Sequence, residues 1–191
     1  MIDINIRKYE QRDKEKVRNI CLENANVSPD DKDVARFILL MFCDYYIEQE
    51  PENCFVATDE NDEAVGYVYG TLNYDKYHQI FMEHYYPKIK KISLRRACEA
   101  RVEMHDHAKY KKDYPAHFHI DVLPAYQSAG IGSKLLPKLC DNFRENGASG
   151  VMLICGKDNI GAQRFYKKNG FDVLHTKMTG VAMGKSLNKS E

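Results

Sequence analysis

Residues 127–132, Gln-Ser-Ala-Gly-Ile-Gly, could hold a phosphate-containing ligand. They lie between a strong strand pattern and a strong helix pattern. Glycine lets the backbone approach a ligand closely, and the first N–H groups of a helix have no partner within that helix. The helix dipole also favours an anion there, and Ser133 and Lys134 could add donors or a positive charge. The segment therefore predicts a pyrophosphate site or, as the alternative, only a tight turn between strand and helix.

A second group of reactive side chains lies on the strand predicted over residues 116–123. Because side chains alternate along a strand, His117, His119 and Asp121 share one face, which Leu123 continues. Histidine titrates near neutral pH, so this face could carry a general base that Asp121 orients. The alternative is a cluster of polar groups that satisfy one another and pack against a neighbouring segment.

Two His-x-His pairs also raise the alternative of a metal site. They are His105 with His107, and His117 with His119. Zinc sites use three or four ligands, and no third ligand is evident from the spacing of either pair. We therefore expect no metal.

The segment 73–113 is rich in Tyr, His, Lys and Arg and has helical spacing in places. Aromatic and basic residues together could stack on and bind a nucleic acid. Acidic residues are interspersed among them, including Glu83, Glu99 and Glu103. The mixture favours a solvated, partly helical lid over a substrate.

Apolar periodicity predicts the elements that must position these groups. Strands are predicted at 3–9, 54–58, 64–72, 116–123, 151–155, 171–176 and 181–187, and helices at 10–25, 30–49, 130–146 and 159–168. Ser28 is a possible cap for the second helix, with Pro29 at its first position. The alternation of strand and helix in the second half indicates an α/β domain spanning residues 1–191. We interpret residues 73–113 as an insertion in it.

The segment 127–132 resembles motif A of the GCN5-related N-acetyltransferase (GNAT) superfamily, which is Gln or Arg-x-x-Gly-x-Gly or Ala after a strand. Gln127, Gly130 and Gly132 match its fixed positions. The segment 159–171 resembles motif B, with an Asn, a short helix ending in a Tyr, and a Gly-Phe strand start. The resemblance implies the acyl-CoA N-acyltransferase fold, in which helices flank a mixed, mostly antiparallel sheet.

The same resemblance implies an N-acetyltransferase that moves an acetyl group from acetyl-CoA to a primary amine by direct attack. It needs no metal. Backbone N–H groups of residues 127–132 would hold the CoA pyrophosphate. Val122 would pair with the pantetheine arm where its strand splays from strand 151–155. The residues implied in cofactor binding are Val122, Leu123, Gln127, Ser128, Ala129, Gly130, Ile131, Gly132, Ser133 and Asn159.

Several of these residues have a second interpretation. Val122 could also be plain core, and Asn159 could cap a helix. Tyr166 is the expected acid, because a protonated tyrosine can donate to a departing thiolate; we expect Phe165 to face the core and Tyr166 to point elsewhere. His119 and Asp121 are the expected base and its partner, since an amine must lose a proton before it attacks.

A narrower resemblance links residues 115–124 to the acetyltransferase-like domains found with some O-GlcNAc hydrolases. Some of those domains are suspected pseudo-enzymes. The resemblance keeps open a non-catalytic module that binds acyl-CoA.

Composition narrows the cellular setting and the partners. Lys and Arg number 28 and Asp and Glu also 28, so no global charge attracts nucleic acid or an anionic membrane. The six scattered cysteines are typical of reduced thiols. The N-terminus has no apolar core of signal-peptide length, and no apolar run anywhere approaches the length of a membrane span, so we expect a cytoplasmic protein. The acceptor is a small molecule or a peptide, and the family resemblance makes a homodimer an expectation.

Overall fold

The described residues of the computed structural model, which are 4–127, 129–178 and 180–188, form seven strands and eight α-helices. The strands are β1 (Asn5–Lys8), β2 (Cys54–Thr58), β3 (Ala64–Thr71), β4 (Ala116–Val122), β5 (Gly150–Gly156), β6 (Asp172–Thr176) and β7 (Gly180–Ser186). The helices are α1 (Lys14–Asn24), α2 (Lys32–Phe42), α3 (Asp44–Gln49), α4 (Tyr74–Ile80), α5 (Tyr86–Ile92), α6 (Leu94–Ala108), α7 (Ile131–Glu145) and α8 (Ile160–Lys168). The seven predicted strands are confirmed.

The strands form one sheet in the order β1-β2-β3-β4-β5-β7-β6. All neighbours are antiparallel except β4 and β5, which are parallel. This is the mixed, mostly antiparallel sheet that the sequence predicted, and the hairpin of β2 and β3 is part of it. The edge strand β6 is largely exposed, and a homodimer through this edge stays a prediction.

Two apolar clusters hold helices against the two faces of the sheet. Helices α1 to α6 pack on the face that carries Tyr67 and Tyr69 of β3. Helices α7 and α8 pack on the opposite face, against Val65 and Val68. A register shift opposite Ala57 and Thr58 places Val65 in the same cluster as Val68, and β3 is buried along its whole length because both its faces are covered.

The second predicted helix is wrong in two details. It begins at Lys32 rather than after Ser28, and Asp31 caps it by accepting a hydrogen bond from the Val34 N–H. It also breaks at Cys43, whose backbone angles are not helical (φ −133°, ψ −63°). The break starts the separate helix α3, which places Tyr46 inside the core.

The segment 73–113 is more helical than predicted and is not a solvated lid. Between α4 and α5 the helical path continues through a wide turn at residues 81–85. Its inward side chains belong to the same cluster as α1 and α2, where Phe81, Ile89 and Ala100 are fully buried. Within the described residues, no helix is both long and apolar enough to cross a membrane, and all six cysteines are free.

Candidate active site

The turn before α7 has the geometry that the sequence predicted for an anion site. Gly130 adopts a left-handed conformation (φ +75°) directly before the helix begins at Ile131. A Cβ added to Gly130 would meet no atom within 4 Å, so the space before the helix is open. The first N–H groups of α7 have no partners within the helix, and Ile131, Gly132 and Ser133 line the adjoining space. The Gln127 side chain braces the turn by donating to the Val122 carbonyl at 3.1 Å.

Strands β4 and β5 separate beside this turn. Their ladder consists of the pairs Ala116–Val151 and His117–Met152, although β4 runs on to Val122. On the other side of β4, the Leu123 N–H donates to the Val65 carbonyl at 2.9 Å. Because backbone direction alternates in an antiparallel ladder, the N–H and C=O groups of Val122 are directed toward the gap. The predicted splay is therefore present.

A cleft of about 520 Å³ occupies this gap and reaches the start of α7. Predicted site residues that line it are Asp121, Val122, Gln127, Gly130, Ile131, Gly132, Ser133, Asn159 and Tyr166. Two predicted cofactor-binding residues do not line it: Leu123, which packs against both apolar clusters, and the exposed Ala129. Ser128 lies outside the described residues. We call this the cofactor cleft.

Helix α8 forms the far wall of the cofactor cleft. Asn159 caps it, with its Oδ1 accepting from the Ala162 N–H at 2.9 Å; the cap interpretation is confirmed, and contact of Asn159 with a cofactor stays a prediction. The expected orientations of Phe165 and Tyr166 were wrong, and the acid role of Tyr166 stays a prediction. Tyr166 is the buried residue, packed on Phe118 and Phe171, while Phe165 is only partly buried. Tyr166 still lines the cleft, because helix α8 directs it at the gap between the strands.

Burial also decides the protonation state of Tyr166. Desolvation, followed by the nearby Asp121 and Cys155, raises the pKa of the Tyr166 hydroxyl well above its usual 10. The hydroxyl is therefore protonated throughout the neutral range and can act as a proton donor.

Asp121 connects the cofactor cleft to a second, smaller pocket. The pocket measures about 190 Å³ and is lined by Cys21, Asn24, Ala25, Ile38, Phe42, Tyr67, His119 and Asp121. We call it the acceptor pocket. Asn24 and Asp121 line both spaces, so a molecule in one would meet a molecule in the other at Asp121.

The carboxyl group of Asp121 is adjusted for proton transfer near neutral pH. Burial raises the pKa of Asp121 from 3.8 to about 7, although a hydrogen bond from the Tyr67 hydroxyl lowers it in part. A group with a pKa near the working pH is the most efficient general base. Asp121 can therefore accept a proton itself rather than only orient a histidine.

The two histidines of β4 have different surroundings. The Tyr46 hydroxyl is hydrogen-bonded to both histidines, to His117 Nε2 at 2.9 Å and to His119 Nε2 at 3.1 Å. His117 is fully buried against His107 and Tyr77 of the helical segment. This is the satisfied polar cluster that the sequence left as an alternative.

His119 lies between that cluster and the acceptor pocket. Burial, with a smaller contribution from His107, lowers the pKa of His119 to about 3. A neutral imidazole with so low a pKa is a weak proton acceptor at pH 7. Among the residues that the structure describes, no group of three or more His, Cys, Asp or Glu side chains is arranged to hold a metal ion.

Sequence reasoning missed three residues of the acceptor side: Tyr67, Tyr46 and Asn24. Tyr67 carried one usable signal, since period-two alternation places it with Tyr69 on one face of β3. Tyr46 and Asn24 lie on helices whose packing only the tertiary structure defines.

Comparison with known proteins extends these observations. A profile of the acetyltransferase (GNAT) family matches residues 15–171. The crystal structure of SsHAT matches 98% of this chain and 100% of its own, with a TM-score of 0.87 and 25% identity.

Two further solved structures have the same fold at lower identity and contain a CoA species. The structure of yncA from Salmonella typhimurium, with acetyl-CoA, matches 98% of this chain and 95% of its own (TM-score 0.60, 16% identity). The PaiA N-acetyltransferase of Thermoplasma acidophilum, in complex with coenzyme A, matches 96% and 99% (TM-score 0.59, 16% identity).

Proposed function

The chain belongs to the GNAT acetyltransferase family, and we propose that it transfers an acetyl group from acetyl-CoA to a primary amine by direct attack. The observation that carries the proposal is the position of Asp121, where the cofactor cleft meets the acceptor pocket.

Acetyl-CoA lies in the cofactor cleft in this proposal. The backbone N–H groups of residues 127–132 bind its pyrophosphate, helped by the dipole of α7. Val122 pairs with the pantetheine arm through its carbonyl group, which faces the gap between β4 and β5, and Asn159 borders the arm. The open space in front of Gly130 supports this placement.

The amine enters the acceptor pocket as an ammonium ion and loses one proton to Asp121, which passes it to solvent. Its nitrogen then attacks the thioester carbon, and the Val122 N–H stabilises the oxyanion of the tetrahedral intermediate. The carbon–sulfur bond breaks, and Tyr166 donates a proton to the departing thiolate. The nitrogen of the intermediate loses its second proton to Asp121, and this proton returns through solvent to Tyr166, so the net products are an amide, free CoA and one proton released to solvent. His119 borders the amine as a neutral group.

Comparing Tyr166→Phe with the wild type tests the proposal. We expect turnover of acetyl-CoA, measured as thiol release against a panel of amines, to fall about 10²-fold while acetyl-CoA affinity is retained, because the hydroxyl acts on the leaving group. Tyr9→Phe is the matched control, since Tyr9 is a buried tyrosine that lines neither space.

Full turnover by Tyr166→Phe would contradict the acid role. Wild-type protein that binds acetyl-CoA but acetylates no amine, peptide or amino sugar would contradict transfer, and would favour the non-catalytic acyl-CoA-binding module.

A further inference from the structure

The walls of the acceptor pocket carry little charge. Asp121 is the single carboxyl group among the described residues that line it, and no lysine or arginine does so. His119 cannot supply a positive charge near pH 7, because burial lowers its pKa to about 3. The pocket therefore offers one anionic group and no cation.

The polar side chains of the pocket are also engaged with the protein. The Tyr67 hydroxyl donates to Asp121, and the Asn24 side-chain amide donates to the Ile20 carbonyl at 3.0 Å. His119 Nε2 is hydrogen-bonded to Tyr46. A charged or strongly polar group on the acceptor would find few partners and would lose hydration on entering.

The remaining walls are apolar and close together. Cys21 of α1 and Ala25, directly after α1, line the pocket together with Ile38 and Phe42 of α2. The volume of about 190 Å³ is well below the 520 Å³ of the cofactor cleft. Such walls stabilise methylene groups through contact and desolvation.

We propose that the acceptor is a primary amine at the end of a slim aliphatic stem that has no second charge within the pocket. The inference rests on the proposed function and names its substrate class. Two sources share this chemistry: the side chain of a lysine within a peptide, and a simple alkyl monoamine. Polyamines lack a partner for their second ammonium group in this pocket, and free amino acids lack one for their carboxylate.

Three acceptors with the same six-carbon stem test the proposal: hexylamine, 1,6-diaminohexane and 6-aminohexanoate. They differ only in whether the far end is neutral, positive or negative. We expect kcat/KM to be about tenfold higher for hexylamine than for either charged analogue, because an unpaired charge disfavours entry. A charged analogue that equals or exceeds hexylamine would overturn the proposal.

Two further acceptors distinguish the sources. Nα-acetyl-lysine amide presents the amine as a peptide does, and alanine amide presents an N-terminal amine on a branched carbon. Turnover of Nα-acetyl-lysine amide above hexylamine assigns the peptide lysine, and the reverse order assigns the alkylamine. Preference for alanine amide over both would overturn the aliphatic stem.

A pair of variants changes the charge of the wall directly. Ile38→Glu adds a carboxylate to the pocket, and Ile38→Gln adds a side chain of the same shape without charge. We expect the ratio of kcat/KM for 1,6-diaminohexane over hexylamine to be about fivefold higher in Ile38→Glu than in Ile38→Gln. An unchanged ratio would contradict the placement of the stem against α2.

Binding measurements separate failure of this inference from failure of the proposed function. Each amine is titrated by calorimetry into the protein saturated with CoA. Selective binding of hexylamine without any acetylation supports the inference and contradicts the transfer reaction. Acetylation with the opposite charge preference contradicts the inference alone, and neither binding nor acetylation contradicts both.

Discussion

The cofactor cleft and the acceptor pocket lie on opposite sides of β4 and differ in the parts of the chain that form them. Backbone features border the cleft: the turn at Gly130, the start of α7 and the end of β4 at Val122, which is not paired with β5. The acceptor pocket is formed by side chains from α1, α2, β3 and β4. Substitutions in the pocket should therefore alter the preference among acceptors and the proton transfer from the acceptor. Substitutions that change the backbone of the cleft should alter cofactor affinity.

The largest expected effect separates the two regions at Asp121. Asp121→Asn removes the proton acceptor, so we expect kcat at pH 8 to fall by about 10²–10⁴-fold. Acetyl-CoA affinity, measured by calorimetry, should stay within about threefold of wild type, since the cleft binds through backbone. Asp172→Asn, on the exposed edge strand, is the control for the same substitution. Normal turnover of Asp121→Asn would show that another group takes the proton.

A smaller effect is expected where backbone conformation forms the cleft. Gly130 and Gly147 flank α7, both have positive φ (+75° and +83°), and both face open space. Gly130→Ala and Gly147→Ala should each lower the free energy of unfolding by about 1 kcal/mol, because alanine is strained in this conformation. Only Gly130→Ala should also weaken acetyl-CoA binding, by about tenfold. Equal affinities in the two variants would exclude this turn as the pyrophosphate site.

This difference between the cleft and the pocket also explains which features the sequence could predict. The strand-turn-helix around Gly130 and the cap at Asn159 depend on neighbouring residues, so local patterns were sufficient. The acceptor pocket joins residues as distant as Asn24 and Asp121, and no local pattern shows which helix face meets β4. The orientation of Tyr166 depends in the same way on its packing against Phe118 and Phe171.

Two other predictions failed because tertiary packing outweighed local propensity. The apolar stripe through residues 30–49 fits one helix, but packing of the tyrosines of α3 requires a break at Cys43. The polar composition of residues 73–113 indicated a solvated lid. Its aromatic side chains are instead buried in the apolar cluster that packs on one face of the sheet.

A third effect should appear in the pH dependence rather than in the maximal rate. Tyr67→Phe removes the hydrogen bond that lowers the pKa of Asp121. The acidic limb of the rate profile should therefore move to higher pH, while kcat at pH 9 changes by less than about threefold. Tyr69→Phe is the matched control, because Tyr69 stacks on Tyr67 but donates to the Phe42 carbonyl. A limb that shifts equally in both variants would indicate a general packing effect.

The last expected effect is on stability rather than on the rate. Because the pKa of Asp121 is raised to about 7 in the folded state, folding binds a proton between about pH 4 and pH 7, and stability falls as pH rises through that range. Asp121→Asn removes this loss of stability. The Tm of the variant should therefore exceed that of wild type at pH 8, and the two Tm values should converge near pH 4. A lower Tm for the variant at pH 8 would contradict the buried, proton-binding carboxyl group.

The most direct test of Asp121 as the general base is the pH dependence of kcat/KM for the best amine, from pH 5 to 9. Wild type should show a break near pH 7, the pKa of Asp121, in addition to the ionisation of the amine. Asp121→Asn should retain acetyl-CoA binding and the limb due to the amine, but lose the break. A break at the same pH in both proteins would contradict the assignment of Asp121, and absence of turnover in the wild type would contradict the transfer reaction itself.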